Sequence, residues 1–581
     1  MINLKAKPFF LHDDQIAWVK NTLASMTIEE KIGQLFVMMT YLPGVDGEKI
    51  KTEVTSWHQG GLRWQRKDSR EAWKQNRLYQ QYSGIPLLIA GNCDTGGAEC
   101  VPDGTYVATA AQATAGGDPD TAYHIGLTSA REAGSIGVNW LFNPVCDLYM
   151  NWRNTIVNTR SYGADPDRVL QMTRAYIRGV RDSGFTIACT AKHFPGDGTE
   201  ERDQHLVMGC NDLSCEEWYQ TFGKVYQGLI DDGIESVMVG HIAQRALSKK
   251  RNPALEDKDI LPATLSPELL QGVLRDELGF NGVIVTDATQ MIGFNAVMPR
   301  RDALPVAIAA GCDMILFAND AEEDLRYMRE GIEKGVVTPE RLEEALTRIL
   351  ALKAKLGLQK ETYIFPDASL REKWVGNAEH VAWRKEAAEK CLTLVKDTQH
   401  LLPLDPAGKR AYLVYVHAIP NSKAYSGDPV RDVLKEELET AGFSVDIAPT
   451  FYDLEAQNGV SFRNFITCMD KGAREDFKKK YDVVFLVLNF YGYAQTNEMR
   501  VTWSYDHSSD QPWYLAEVPT VAVSLNYTNH LIDVPQAKTF INAYGSKREN
   551  IHALVERVTG KAPFTGKAEE TVFCGRWEAR L

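Results

Sequence analysis

The segment Thr186 to His205, reading TIACTAKHFPGDGTEERDQH, gathers the groups in this chain that could do chemistry. A β-rich run ends at Lys192-His193, turns through Pro-Gly and Asp-Gly, and carries a polar loop out to Asp203-Gln204-His205. Imidazole, with a reference pKa of about 6.5, gives and takes protons near neutral pH. A carboxylate two residues earlier can accept a hydrogen bond from one ring nitrogen, orienting the ring and favouring its charged form. A lysine at a strand end can also act as a Schiff-base nucleophile. Taken alone, Asp203-Gln204-His205 also reads as a polar surface turn, and Lys192 as one half of a buried ion pair.

Such groups need a rigid frame. Eight short apolar runs alternate with amphipathic stretches: Ile32–Met39, Gly61–Trp64, Pro86–Gly91, Val138–Phe142, Thr186–Thr190, Ser236–Gly240, Gly282–Thr286 and Asp313–Phe317. Helical periodicity fills the gaps, from Arg70–Tyr82 through Pro119–Gly134, Pro166–Ser183, Glu216–Asp232 and Pro267–Leu278 to Leu304–Ala310. Eight β-α units predict an α/β fold, a (β/α)8 TIM-type barrel over residues 1–357, with its site at the strands' C-terminal ends. Asp147, Lys192-His193, His241, Asp287 and Asn319-Asp320 all fall just after strands. Helix N-caps use Asp and Asn at the same place, and that is the reading for Asn319-Asp320. His241 either lines the site or satisfies a core hydrogen bond. Glu200-Glu201 reads as a solvated pair.

The barrel closes with a helix over Pro339–Gly357. Residues 358–385 read as a linker, and residues 386–581 as a second domain. Its strands at Ala411–Val416, Phe443–Ile447, Val483–Asn489, Pro519–Leu525 and Lys538–Ala543 predict an open α/β sandwich. Helices are expected at Pro429–Ala441, Phe465–Lys479 and Lys547–Thr559. No phosphate-binding glycine fingerprint opens a helix there, so no nucleotide cofactor is expected.

Composition narrows the partners. At 581 residues the chain exceeds one ordinary core. Its net charge of −13 argues against nucleic acid and anionic membrane surfaces. No leader-like or membrane-length apolar run is present, which predicts a cytoplasmic protein. The ten cysteines are scattered without a C-x-x-C pair and read as reduced core residues, with no metal site expected.

Several stretches in order resemble glycoside hydrolase family 3, in particular its two-domain β-N-acetylglucosaminidase branch. They are MTIEEKIGQLFV, REAGSIGVNWLFNPVCDL, NTRSYGADPDRV, AKHFPGDGTEERDQH, GVIVTDA and LTRILALKAKLGL, followed by LTLVKD, LLPL and PTVAVSLNYTNHLIDVPQAKTFINAYG. The resemblance implies a retaining exo-β-N-acetylglucosaminidase. Its nucleophile falls on Asp287, and its acid/base on the Asp203–His205 dyad. Lys192, His193 and Arg160 match residues that hold sugar hydroxyls, with Asn92, Asp94, Asp147 and His241 as further candidates. Two departures stand out. Where relatives carry Asp-x-Glu-Gly-Gly, this chain reads Asn92-Cys93-Asp94-Thr95-Gly96-Gly97, and Pro-Gly-His-Gly is replaced by Pro195-Gly196-Asp197-Gly198.

The chemistry fits those residue types. Retention needs a carboxylate to attack the anomeric carbon and a second group to protonate the leaving oxygen, then to deprotonate water. If the dyad loop is mobile, it would swing in when sugar binds. A neutral imidazole would not repel phosphate, so phosphorolysis to a sugar 1-phosphate is the nearest alternative, and β-glucosidase-like specificity another. More distant readings are an aldolase using Lys192 and a sugar-binding protein without turnover. The expected partner is an N-acetylglucosamine-containing glycan, with no other cofactor. The second domain could brace the barrel, touch substrate or form a homodimer face.

Overall fold

The computed structural model describes residues 2–65, 67–359, 363–417, 429–490, 492, 495–496, 498–504 and 507–581. The chain forms two compact units, one of residues up to Val107 with Ala122–Val381, the other of Ala108–Thr121 with Ala382–Leu581. Residues 360–362 of the expected linker lie outside the described residues.

The first unit is the expected barrel. Its strands are β1 (Phe36–Thr40), β2 (Gly61–Trp64), β3 (Leu88–Gly91), β4 (Trp140–Leu141), β5 (Ala188–Phe194), β6 (Ser236–Val239), β7 (Val283–Ala288) and β8 (Met314–Leu316). Every neighbouring pair is parallel, and β8 returns to β1 to close the ring. Apolar side chains pack both faces of the strands, among them Phe36, Leu88, Trp140, Val237 and Ile284, all essentially without solvent exposure. At the lower end of β8, Asp313 is fully buried among Arg275 and Arg341, at 2.7 and 2.5 Å. That cluster ties helices to the barrel floor; the opposite rim is left for chemistry.

Two strands differ from expectation for physical reasons. The run Ile32–Met39 begins as helix Ile28–Gln34, because Thr27 and Glu30 form a reciprocal capping box that nucleates a turn before the strand starts. The fifth strand does not stop at Thr190 but runs through Lys192 and His193. Both residues are buried, and their backbone stays in the sheet.

The second unit holds a six-stranded sheet. Its strands are β9 (Thr393–Asp397), β10 (Arg410–His417), β11 (Ser444–Ile447), β12 (Val483–Asn489), β13 (Thr520–Ser524) and β14 (Thr539–Asn542). The order is β9-β14-β13-β12-β10-β11, parallel except for the β9–β14 edge. Helices cover both faces, giving the two apolar layers around Leu413 and Val523 and around Val414 and Leu486. Strand β9 was not among the sequence expectations, since its burial alternates weakly on an edge. The helix expected over Phe465–Lys479 is two helices, Phe462–Met469 and Arg474–Lys480, divided near Gly472, whose φ is +62°.

Candidate active site

Consecutive side chains on a regular strand face opposite ways, so Lys192 and His193 could not both serve one rim without an irregularity. The β5–β6 register slips between Ala191 and Phe194, and this bulge re-aims the pair. Lys192 Nζ lies 3.6 Å from Asp94 Oδ1. Arg160 Nε donates to Asp94 Oδ2 at 2.7 Å, and Asn143 Nδ2 to Oδ1 at 2.5 Å. Burial opposes the charge on Asp94, but Lys192 and then Arg160 outweigh it and hold the carboxyl well below its usual range. Burial draws the Lys192 ammonium down from its ordinary value, with Asp94 pulling the other way. The result is a fixed array of donors and acceptors suited to sugar hydroxyls.

On the other side of Lys192, His193 connects to the candidate nucleophile. Its Nδ1–H donates to Asp147 Oδ2 at 2.7 Å, since a carboxylate only accepts. Its Nε2 lies 3.9 Å from Asp287 Oδ2. Asp287 stands at the end of β7 with its side chain 13% exposed, and accepts the Ala288 N–H at 2.7 Å. Burial disfavours its charged form, yet His193 first, then His241, His205 and the Ala288 N–H, bring the carboxyl below its usual range. It is therefore ionised near neutrality, as an attacking carboxylate must be.

The dyad is formed. Asp203 is fully buried, and its Oδ1 accepts both the His205 backbone N–H at 2.8 Å and Nδ1–H at 2.7 Å. The His205 side chain is 27% exposed, with Nδ1 turned to Asp203. Three elements anchor that loop. Gln204 Oε1 accepts from the His241 N–H at 2.8 Å, and Gln204 Nε2 makes a long contact of 3.4 Å with Asp197. The Ile292 and Gly293 N–H groups, beginning the helix after β7, donate to the His205 and Gln204 carbonyls at 3.0 and 3.2 Å. Glu200 is not the solvated residue expected: it accepts the Cys210 N–H and pairs with Arg202, closing the loop on itself.

Asp147 and Asp197 are positioning residues. Asp147 is fully buried; besides His193 Nδ1 it accepts the backbone N–H groups of His193 and Asp197 at 3.0 and 2.8 Å. With both oxygens engaged by protein, it orients the imidazole instead of presenting itself to sugar. Asp197 accepts from Asn154 Nδ2 at 2.8 Å and Gly198 N at 2.6 Å. Burial, then the nearby Asp147 charge, push its carboxyl up to about 7. The turn at Gly198 has φ +109°, and a Cβ there would stand 1.9 Å from the Leu148 carbonyl, so no other residue fits.

The structure thus brings Asp287, His193, Lys192, Asp94 and Arg160 together and seats Asp203–His205 beside the helix that follows β7. Asn92 is half-buried outside the Asp94 ion cluster. His241 is fully buried, its Nε2 3.0 Å from the Ala288 carbonyl and its Nδ1 3.1 Å from Thr264 Oγ1, so both ring nitrogens are used by protein. Asp320 caps helix Ala321–Glu333, as its place after β8 suggested. Sequence reasoning missed Asn143, Gln204, Asn154 and Glu99. Asn143 and Glu99 follow β4 and β3 closely, which was the available signal. Glu99 accepts the Asp94 N–H at 2.5 Å and Thr95 Oγ1 at 3.1 Å.

Known proteins share this arrangement of the chain. The family model described as the glycosyl hydrolase family 3 N terminal domain matches residues 27–352. A Cellulomonas fimi protein named beta-N-acetylglucosaminidase/beta-glucosidase is 39% identical over 581 residues, covering all of both chains. A solved structure titled beta-glucoside phosphorylase BglX superposes with a TM-score of 0.90 at 36% identity, over 99% of each chain. A glycoside hydrolase family 3 beta-N-acetylglucosaminidase from Paenibacillus sp. str. FPU-7 shares the fold, with a TM-score of 0.74 at 23% identity, over 94% of this chain and 98% of that one. With more than half of its length matched by the family model and a full-length relative at this identity, the chain belongs to glycoside hydrolase family 3.

Proposed function

We propose that this enzyme is a retaining, exo-acting β-glycosidase that releases terminal β-linked N-acetylglucosamine, with glucose as an alternative glycone. The observation that carries the reading is the His205–Asp203 dyad docked against the helix that follows the Asp287 strand. Asp287 attacks the anomeric carbon, and the bond to the leaving oxygen breaks as the protonated His205 gives that oxygen its proton. Neutral His205 then takes a proton from water, whose oxygen displaces Asp287 and restores the starting anomeric configuration. Asp203 holds the ring in one tautomer through both steps. Arg160, Lys192 and Asp94 fix the sugar, so His205 and Asp287 meet it in reacting geometry. The ten free cysteines, seven of them buried, support a reducing, cytoplasmic location.

A second reading changes only the acceptor. After its first proton transfer His205 is neutral, where a glutamate would be negative, so a phosphate dianion could approach without repulsion. Phosphate needs no deprotonation to attack, and the likeness to a structure titled beta-glucoside phosphorylase favours testing it.

The deciding experiment uses nitrophenyl N-acetylglucosaminide and glucoside, with and without phosphate, alongside a 2-fluoro sugar. Label is expected on the peptide containing Asp287. His205→Ala should lose about 10²–10⁴-fold on substrates with poor leaving groups, and much less on activated ones. A label elsewhere, or an unimpaired His205→Ala enzyme, refutes the mechanism. Phosphate-accelerated turnover with a sugar 1-phosphate product would select the second reading.

A further inference from the structure

After β3 the structure places a second carboxylate, Glu99, beside Asp94. Gly96 has φ +124°, and a Cβ on Gly97 would stand 2.0 Å from Glu132 Oε2. The backbone therefore lies hard against Glu132, which also accepts the Thr105 N–H at 2.7 Å. Out of that tight turn comes the short helix Gly97–Glu99. Its last residue folds back, and the Glu99 carboxylate meets the backbone N–H of Asp94 and the hydroxyl of Thr95.

Each Glu99 oxygen accepts one protein donor and the carboxyl end is packed against the chain, but unlike the fully buried Asp147 the residue keeps part of its side chain open to solvent, leaving room for a further donor. It also interacts electrostatically with Arg160, Lys192 and Arg63, the cations on the strands and loops around it. Arg63 Nε is buried without a hydrogen-bond partner among the described residues. Short contacts run through the neighbouring residues of this rim: Asp287 to His193 at 3.9 Å, Lys192 to Asp94 at 3.6 Å, and Asp94 N to Glu99 at 2.5 Å. Glu99 therefore adjoins the array of Asp94, Arg160 and Lys192 that the glycosidase reading gives to the sugar hydroxyls.

Resting on the glycosidase reading above, we infer that Glu99 is a specificity-determining residue of the sugar pocket, accepting a hydrogen bond from the O4 or O6 hydroxyl of the terminal residue. Burial, then the Asp94 carboxylate, push the Glu99 carboxyl up to about 7, a cost that a hydroxyl donor offsets. An unsubstituted hydroxyl there is also what an exo-acting enzyme must verify.

The test is a cycle between enzyme and substrate, using wild type, Glu99→Gln and Glu99→Ala with nitrophenyl β-glucoside and its 4-deoxy and 6-deoxy analogues. Wild type should lose about 10- to 100-fold in kcat/KM on one deoxy sugar, the range for a hydrogen bond to a charged group. Glu99→Ala should lose a similar factor on the parent glucoside and no more on that deoxy sugar. The other deoxy sugar should keep the ratio seen for the parent. Glu99→Gln, which retains an acceptor oxygen and the side-chain shape, should fall between. Equal wild-type rates on all three sugars overturn the assignment without any variant, as does a Glu99→Ala penalty equal on all three. Failure of wild type to cleave any of them, or the N-acetylglucosaminide, overturns the proposed function instead.

Discussion

Replacing Asp147 by Asn tests whether the site depends on the tautomer of His193. Asp147 is fully buried and accepts three N–H groups: His193 Nδ1 at 2.7 Å, His193 N at 3.0 Å and Asp197 N at 2.8 Å. An asparagine keeping its carbonyl oxygen towards the two backbone groups turns its NH₂ towards Nδ1, donor against donor. His193 relieves this by moving its proton to Nε2, the nitrogen 3.9 Å from Asp287 Oδ2. Nε2 then carries an N–H in place of a lone pair beside the Asp287 carboxylate, which draws on that charge and makes the proposed nucleophile a poorer one. One charge-assisted hydrogen bond is worth about 1.5–3 kcal/mol, which as transition-state stabilisation is roughly 10- to 100-fold in rate. The assay is kcat/KM on an aryl N-acetylglucosaminide, with the rate of 2-fluoro sugar labelling as a separate measure of Asp287 attack. Both should fall together, while circular dichroism shows the fold retained. An Asp147→Asn enzyme within threefold of wild type on both would refute the reasoning.

Asp203→Asn should act on the proton half alone, lowering turnover of poor leaving groups by about 10²-fold or more while sparing labelling by an activated fluoro sugar; equal losses on both would count against it. Asp197 offers a stability test. Its folded carboxyl titrates near 7, above the ordinary Asp value of about 3.9, so the folded state keeps its proton longer than the unfolded one. That favours folding at low pH, and the contribution disappears as pH rises from about 4 to about 7, by at most roughly 4 kcal/mol. Asp197→Asn should therefore flatten the fall in melting temperature between pH 5 and pH 8, incompletely because Glu99 titrates in the same window. Parallel curves would refute the assignment. Amide exchange at Ile292 and Gly293 should be slow before sugar is added, because both N–H groups already hold the dyad loop; fast exchange that slows only with ligand would restore the swinging-loop expectation.

The barrel was legible because alternation of strand and helix is written in local periodicity, which needs no knowledge of partners. The site was legible to the extent that it follows strands: Lys192, His193, Asp147 and Asp287 could be marked by position alone. Their division of labour was not. Asp147 reads from sequence like Asp94, yet one faces His193 and two backbone N–H groups and the other faces Arg160 and Lys192. Only the register of distant loops decides which carboxylate is left for substrate. Glu200 shows the same limit, since its partner Cys210 comes close only after the loop has turned back.

The two halves of the site share one support. Asp147 orients His193 on the sugar side and, through the Asp197 N–H, fixes the turn from which the dyad loop departs. Asp197 reaches on to Gln204, which sits between Asp203 and His205 and grips the His241 N–H. Lifting the dyad away would break the two Gln204 side-chain contacts and the bonds to Ile292 and Gly293. At about 0.5–1.5 kcal/mol for each good bond, that is a real cost even after discounting the long Asp197 contact. The residues proposed to handle the proton are thus held in place by the same buried carboxylate that sets the His193 imidazole beside the proposed nucleophile. Preorganisation of this kind raises the rate by avoiding rearrangement at the moment of reaction, and it predicts that Asp147, with both oxygens held by protein, belongs among the residues on which turnover depends.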